Sequence, residues 1–263
     1  MAVFRCRRFV FQMGMAIAAV FCANIACPVL ATPLEDIQKR GSIHIAVKET
    51  VRPLGFRDGA GNLQGLEIDI ARQLAVELLG NAEAAELMPT ANQDRLDSLL
   101  SGEVDVVIAQ LGVNAARERL VDFSAYYYLD GVGFLTKNEG LVNLNQITNQ
   151  TVVLLNYAPA IAAVQVYFPQ LNLIAVDSYA EAFALLESGK AELFAGSHAV
   201  LTGWTQDYPD YRLLPAWLDG NALAIAMPKG RQHQSLYEEI QTIMDEWQES
   251  GWLQDRINHW GLP

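Results

Sequence analysis

The sequence predicts an α/β protein, and three observations carry the prediction. Strand-like and helix-like segments alternate along most of the chain. One short apolar run, Val104-Asp105-Val106-Val107-Ile108, is rich in β-branched residues and reads as a strand buried on both faces, as in a parallel sheet. A weak internal repeat also relates residues 99–108 to residues 186–195, each a helix end, a Ser-Gly stop and an acid-led apolar strand. Two such units suggest two α/β lobes whose strand-end loops face one another across a cleft. Helix–Gly–strand is also the commonest αβ connection, so coincidence stays open.

The elements follow in order. Arg5, Arg7 and Arg8 precede an apolar stretch that ends in Val29-Leu30-Ala31, the pattern of a cleaved signal peptide over 1–31. An uncleaved anchor and lipidation at Cys27 are the alternatives. Residues 42–47 read as the first strand. From Leu66 to Leu79, Ile70, Ala71, Leu74, Ala75 and Leu78 form one helical stripe, and Gly80 stops it. Glu67 and Asp69, near that helix start, are expected to complement the macrodipole. Residues 94–101 form a second helix that feeds the run at 104–108. Gln110, Gly112, Asn114 and Arg117 come next, and ligands of open α/β sheets bind beyond the carboxyl ends of strands. Arg117 offers a planar fork suited to carboxylate or phosphate, although pairing with Glu118 or capping a helix is open to it as well.

Composition narrows the function. The leader holds all three cysteines, three of the eighteen basic residues and none of the thirty acids, so its removal takes the formal charge from −12 to −15. Disulfides, thiol chemistry and cysteine-bound metals are then excluded. The acidic balance opposes nucleic acid and anionic membrane surfaces, while saying little of a small anion. The four histidines lack metal-ligand spacing, and no GxSxG, Walker A or complete GxGxxG motif occurs. No cofactor is expected.

Several segments together resemble the extracellular solute-binding proteins of bacterial ABC importers, in the branch that takes polar amino acids. They are Ile45-Ala46-Val47, Gly65-Leu66-Glu67-Ile68-Asp69-Ile70, Leu100-Ser101-Gly102-Glu103-Val104-Asp105, and Arg117 with Val121-Asp122-Phe123-Ser124. Ser178-Tyr179-Ala180-Glu181-Ala182, Gly251-Trp252-Leu253 and Trp260-Gly261 extend the likeness over the chain after the leader. The resemblance implies a two-lobed periplasmic-binding-protein (Venus-flytrap, type II) fold. Lobe 1 would be 33–132 plus 226–263 and lobe 2 would be 133–225, with hinge strands near 131–135 and 222–226. It implies a periplasmic monomer that passes a small carboxylate-bearing ligand, an amino acid foremost, to a membrane-bound ABC permease. A dehydratase on the same fold and a ligand-sensing module are the alternatives.

In relatives the arginine matching Arg117 binds the ligand carboxylate, beside positions matching Gln110, Gly112 and Asn114. This sequence departs from them at several points. Gly112 stands where a threonine is usual, and Ser197, followed by His198, stands where an aspartate holds the ligand ammonium. Asn156 and Tyr157 fall on a loop that lacks its usual hydroxyl, and the aromatic positions near Val51 and Asn92 are not aromatic. Lys48 and Glu49 add charge to the first mouth loop. A buried ammonium without an acid is costly, so Glu49 or Asp219 is expected to replace the missing one, unless the ligand has no ammonium. At least two of Tyr126, Tyr127 and Tyr128 are expected to fill the interior.

Overall fold

The structure, a computed structural model, describes residues 33–263 apart from 157 and 159. The expected signal peptide over 1–31, and Tyr157, lie outside the described residues.

The chain opens with helix α1 (Pro33–Arg40), strand β1 (Ile43–Val47) and the small strands β2 (Thr50–Val51), β3 (Gly55–Arg57) and β4 (Leu63–Gln64). Helix α2 (Leu66–Leu79), β5 (Ala85–Pro89), α3 (Arg95–Leu100) and β6 (Val106–Ile108) follow, leading into the long strand β7 (Val121–Thr136). Next come β8 (Thr151–Leu155), α4 (Ala160–Tyr167), β9 (Asn172–Val176), α5 (Tyr179–Glu187), β10 (Leu193–Ser197) and α6 (His198–Asp207). The chain closes with β11 (Arg212–Leu213), β12 (Leu218–Pro228), α7 (Gln234–Glu249) and α8 (Trp252–His259).

Helix α2 has the bounds its apolar stripe predicts, and Gly80 ends it in the left-handed conformation that glycine adopts without strain. The run at 104–108 is strand only from Val106. The Asp105 carboxylate ties the strand entry instead, accepting from the His44 backbone N–H at 2.8 Å and pairing with Arg40.

Strands β5, β1 and β6 form one parallel group, and β10, β8 and β9 form another. Strands β7 and β12 join them: β12 runs antiparallel to β6 and β7, and β7 runs antiparallel to β10. The β7–β12 ladder carries three register shifts, so the joint between the groups is irregular.

Apolar packing follows the same division. Two buried clusters draw on residues between 132 and 218, centred on Phe134 and Val152 in one and Phe194 and Trp204 in the other. The largest cluster packs α2, α7 and α8 against β1 and β12, and it admits Ala199 and Val200 from the start of α6. At roughly 1.5–3 kcal/mol for each fully buried large side chain, this burial is what holds both groups together. Tyr127 and Tyr128 are buried and Tyr126 is exposed, as expected. Among the described residues, no helix is long and apolar enough to cross a membrane.

Candidate ligand-binding site

The segment after β6 is built around one buried carboxylate. Glu67 lies in the first turn of α2, where an acid complements the macrodipole, and it is fully buried and takes tertiary partners as well. Its Oε1 accepts from the Gln110 backbone N–H at 2.6 Å and from the Tyr127 hydroxyl at 2.6 Å. Its Oε2 is buried without a partner among the described residues. Burial pushes the Glu67 carboxyl above its ordinary value, against those hydrogen bonds and the nearby Arg95 and Lys48. Asp69, also expected to act on the dipole, accepts from the Trp260 indole N–H at 2.9 Å.

Glu67 and its partners hold Gln110 at φ +51°, a left-handed conformation uncommon outside glycine and often found at functional sites. Arg95 completes the clamp, donating from Nη1 to the carbonyl oxygens of Ala109 at 2.6 Å and Gln110 at 2.9 Å. Gly112 follows, bridged to Leu223 of β12, and a Cβ there would lie 1.8 Å from the Asn221 side-chain oxygen. Asn221 thus fills the space that a threonine at 112 would need. Asn114 turns its side-chain oxygen onto the backbone N–H groups of Ala116 and Arg117, at 3.1 and 2.9 Å. That turn aims Arg117 back at the loop, where Nη1 donates to the Gly112 carbonyl at 2.6 Å. No ion pair to Glu118 forms among the described residues.

Cations gather at this loop. Lys48 is buried at the end of β1, with Nζ donating to the Thr90 carbonyl at 2.9 Å. Burial, and then Arg95, lower its pKa. Arg95 is lowered by burial and then by Arg117, and Arg117 by burial. Lys48 and Arg95 thus flank the Glu67 carboxylate, Glu49 also acts on Lys48, and Arg117 lies beside Arg95.

Strand β10 and helix α6 meet this loop. Ser197 ends β10 and caps α6, accepting from the Val200 backbone N–H at 3.3 Å. Gln110 reaches across to it, Nε2 donating to the Ser197 Oγ at 3.1 Å. The serine hydroxyl donates to Asp130 Oδ2 at 2.6 Å. Asp130 sits buried in β7, and its Oδ1 accepts from the backbone N–H groups of Gly131 at 2.9 Å and Ala199 at 3.1 Å. Burial raises its pKa, against those bonds and the nearby His198. Asp130 is therefore the acid beside Ser197. Of the two acids expected there, Glu49 instead pairs with Arg57 at 2.8 Å and Asp219 is exposed at the start of β12.

The other expected residues have different surroundings. Asn92 is exposed. Asn156 is exposed and donates to Asp177 at 2.6 Å. His198 is buried, and its ring meets Trp217 at a tilt of 56° with 4.9 Å between centroids. It lines a cavity of about 470 Å³ beside the joining strands, with Tyr128, Trp217, Leu253 and Ile257. Arg117, Gln110 and Ser197 do not line that cavity. Among the described residues no group of three His, Cys, Asp or Glu side chains could hold a metal ion.

Residues 43–263 match the profile of the bacterial extracellular solute-binding proteins, family 3. The glutamine-binding protein of Geobacillus stearothermophilus is 30% identical over 184 residues, covering 69% of this chain and 70% of that one. The ABC transporter glutamine-binding protein of Bacillus subtilis is 25% identical over 232 residues, covering 86% and 84%. Among solved structures, the solute receptor for L-cysteine of Neisseria gonorrhoeae shares 26% identity at a TM-score of 0.72, over 87% of this chain and 93% of that one. The α/β architecture with its mixed sheet is that of the two-lobed type II periplasmic-binding proteins, and with the profile match it leads to one conclusion: the chain belongs to the bacterial extracellular solute-binding proteins, family 3.

Proposed function

We propose that the protein captures an amino acid outside the inner membrane and delivers it to an ABC permease, without turning it over. Export would follow cleavage of the leader at about residue 31. The reading rests above all on Arg117 beside Arg95 at the loop after β6, where Arg95 and Lys48 flank the buried carboxylate of Glu67. A ligand carboxylate would pair with Arg117. The relatives add support, being named as binding proteins for glutamine and as a receptor for cysteine.

In this reading residues 33–132 with 226–263 move as one body and residues 133–225 as the other, about β7 and β12. Ligand docks first on the Arg117 loop. The second body then closes over it, excludes water and strengthens each polar contact, and differential affinity for the closed form drives the shift. The protein works as a monomer, its closed form being what the permease recognises.

A thermal-shift screen of the mature protein against the proteinogenic L-amino acids and L-cystine tests the proposal. A binder at a thousandfold its Kd adds ~4 kcal/mol of apparent stability. No shift with any of them would overturn the amino-acid reading.

A further inference from the structure

Ser197 is a hydrogen-bonded hydroxyl with a direction. It donates to Asp130 Oδ2 at 2.6 Å, which leaves its lone pairs as acceptors. One donor to those lone pairs is Gln110 Nε2, an N–H group that comes from the opposite side of the site at 3.1 Å. An alkylammonium is the same kind of donor with a positive charge added. The charge it would meet is already present: among the described residues no lysine or arginine pairs with Asp130, which is buried and held by backbone N–H groups and one hydroxyl. The site is therefore polarised, with cations at the Arg117 loop and an anion behind Ser197. That arrangement complements a zwitterion.

We propose that Asp130, acting through the Ser197 hydroxyl, holds the ammonium group of a zwitterionic amino acid, whose N–H takes the place of Gln110 Nε2. The inference rests on the amino-acid reading above and assigns the acid that Ser197 does not carry. Asp130 is a positioning residue here: it orients the hydroxyl and supplies the charge, while the serine oxygen makes the contact. A carboxylate placed one side chain further back does the work of an aspartate at 197.

The test compares two probes that differ at one group. These are an equimolar mixture of the proteinogenic L-amino acids other than proline, and the mixture of the corresponding (S)-2-hydroxy acids. Thermal shift is read as the concentration needed for a given stabilisation, on wild type, Asp130→Asn and Asp130→Asn/Ser197→Asp. Wild type should prefer the amino acids by tenfold or more, as a charge-assisted bond implies (about 1.4 kcal/mol per factor of ten). Asp130→Asn should erase that preference, read as the ratio of the two concentrations so that a loss common to both mixtures does not enter it. The double variant, which moves the acid to 197, should restore it. Should Asp130→Asn fail to fold, Ser197→Ala removes the relay alone and is expected to erase the preference equally. An undiminished preference in Asp130→Asn, or in Ser197→Ala, overturns the proposal and leaves the amino-acid reading standing. Wild type stabilised by both mixtures alike overturns the proposal alone, and wild type stabilised by neither overturns the two together.

Discussion

A Cβ on Gly203 would lie 2.4 Å from the carbonyl oxygen of Arg52, so helix α6 and the segment after β2 meet backbone to backbone. Arg52 and Asp207 pair alongside at 3.6 Å, and Gln206 donates to the Trp260 carbonyl at 3.0 Å. These contacts join the two bodies proposed above. Gly203→Ala should hold them apart, at about 1–3 kcal/mol for overpacking, and weaken amino-acid binding by roughly tenfold or more. Small-angle scattering at saturation with the L-amino-acid mixture should give a larger radius of gyration for the variant. Equal radii would remove α6 from the closing surface.

Arg117→Ala should weaken binding of the same mixture by roughly tenfold to a few hundredfold, the range for losing a charge-assisted pair. Arg117→Lys should recover only part of that loss, because an ammonium cannot reproduce the planar fork. Calorimetry decides it, and wild-type affinity in Arg117→Ala would rule out the anchor.

Gly112 and Asn221 should behave as a coupled pair. Gly112→Ala drives the new methyl into the Asn221 side chain and should destabilise the protein by ~1–2 kcal/mol, a modest overpacking cost because that side chain can swing away. In Gly112→Ala/Asn221→Ala most of the penalty should disappear, which a denaturation cycle would detect as non-additivity. Additive effects would show that the close approach is relieved elsewhere.

His198 makes stability depend on pH. Burial holds its imidazole below the ordinary value of 6.5, against the pull of Asp130. The unfolded chain therefore binds a proton before the folded one does. Stability contributed by neutral His198 is complete above 6.5 and declines as pH falls from there to the folded pKa. His198→Gln lacks this slope, so the difference in unfolding free energy between wild type and variant should shrink on acidification from pH 7. A difference that stays constant across that range would show that the imidazole titrates normally.

The pattern in the sequence carried the fold well where the signal was local. The apolar stripe and Gly80 bounded α2, and the runs at 131–135 and 222–226 fall inside β7 and β12. The polar, cationic segment from Gln110 to Arg117 is legible after its buried strand, and its role as a ligand site is the proposal made above. What escaped was chemistry made by distant partners. Glu67 resembles any acid in a first helical turn until Gln110, forty-three residues on, is known to meet it. Asp130 interrupts an apolar run beside a glycine, which is a signal of a kind, yet nothing near it in sequence points to Ser197, sixty-seven residues away. Asn221 is silent for the same reason: its meaning lies in the missing side chain at Gly112.

The packing of Trp217 has an optical consequence. Its indole lies over Gly131, with Cδ1 2.2 Å from where a Cβ would be, and against the His198 ring at the start of α6. Trp204 and Trp247 are buried and Trp252 and Trp260 half-buried, whereas Trp217 is 47% exposed. Its fluorescence should therefore be the most solvent-sensitive of the five, and it comes from the residue just before β12, packed over β7. The protein thus carries its own emission reporter there, readable without an attached dye.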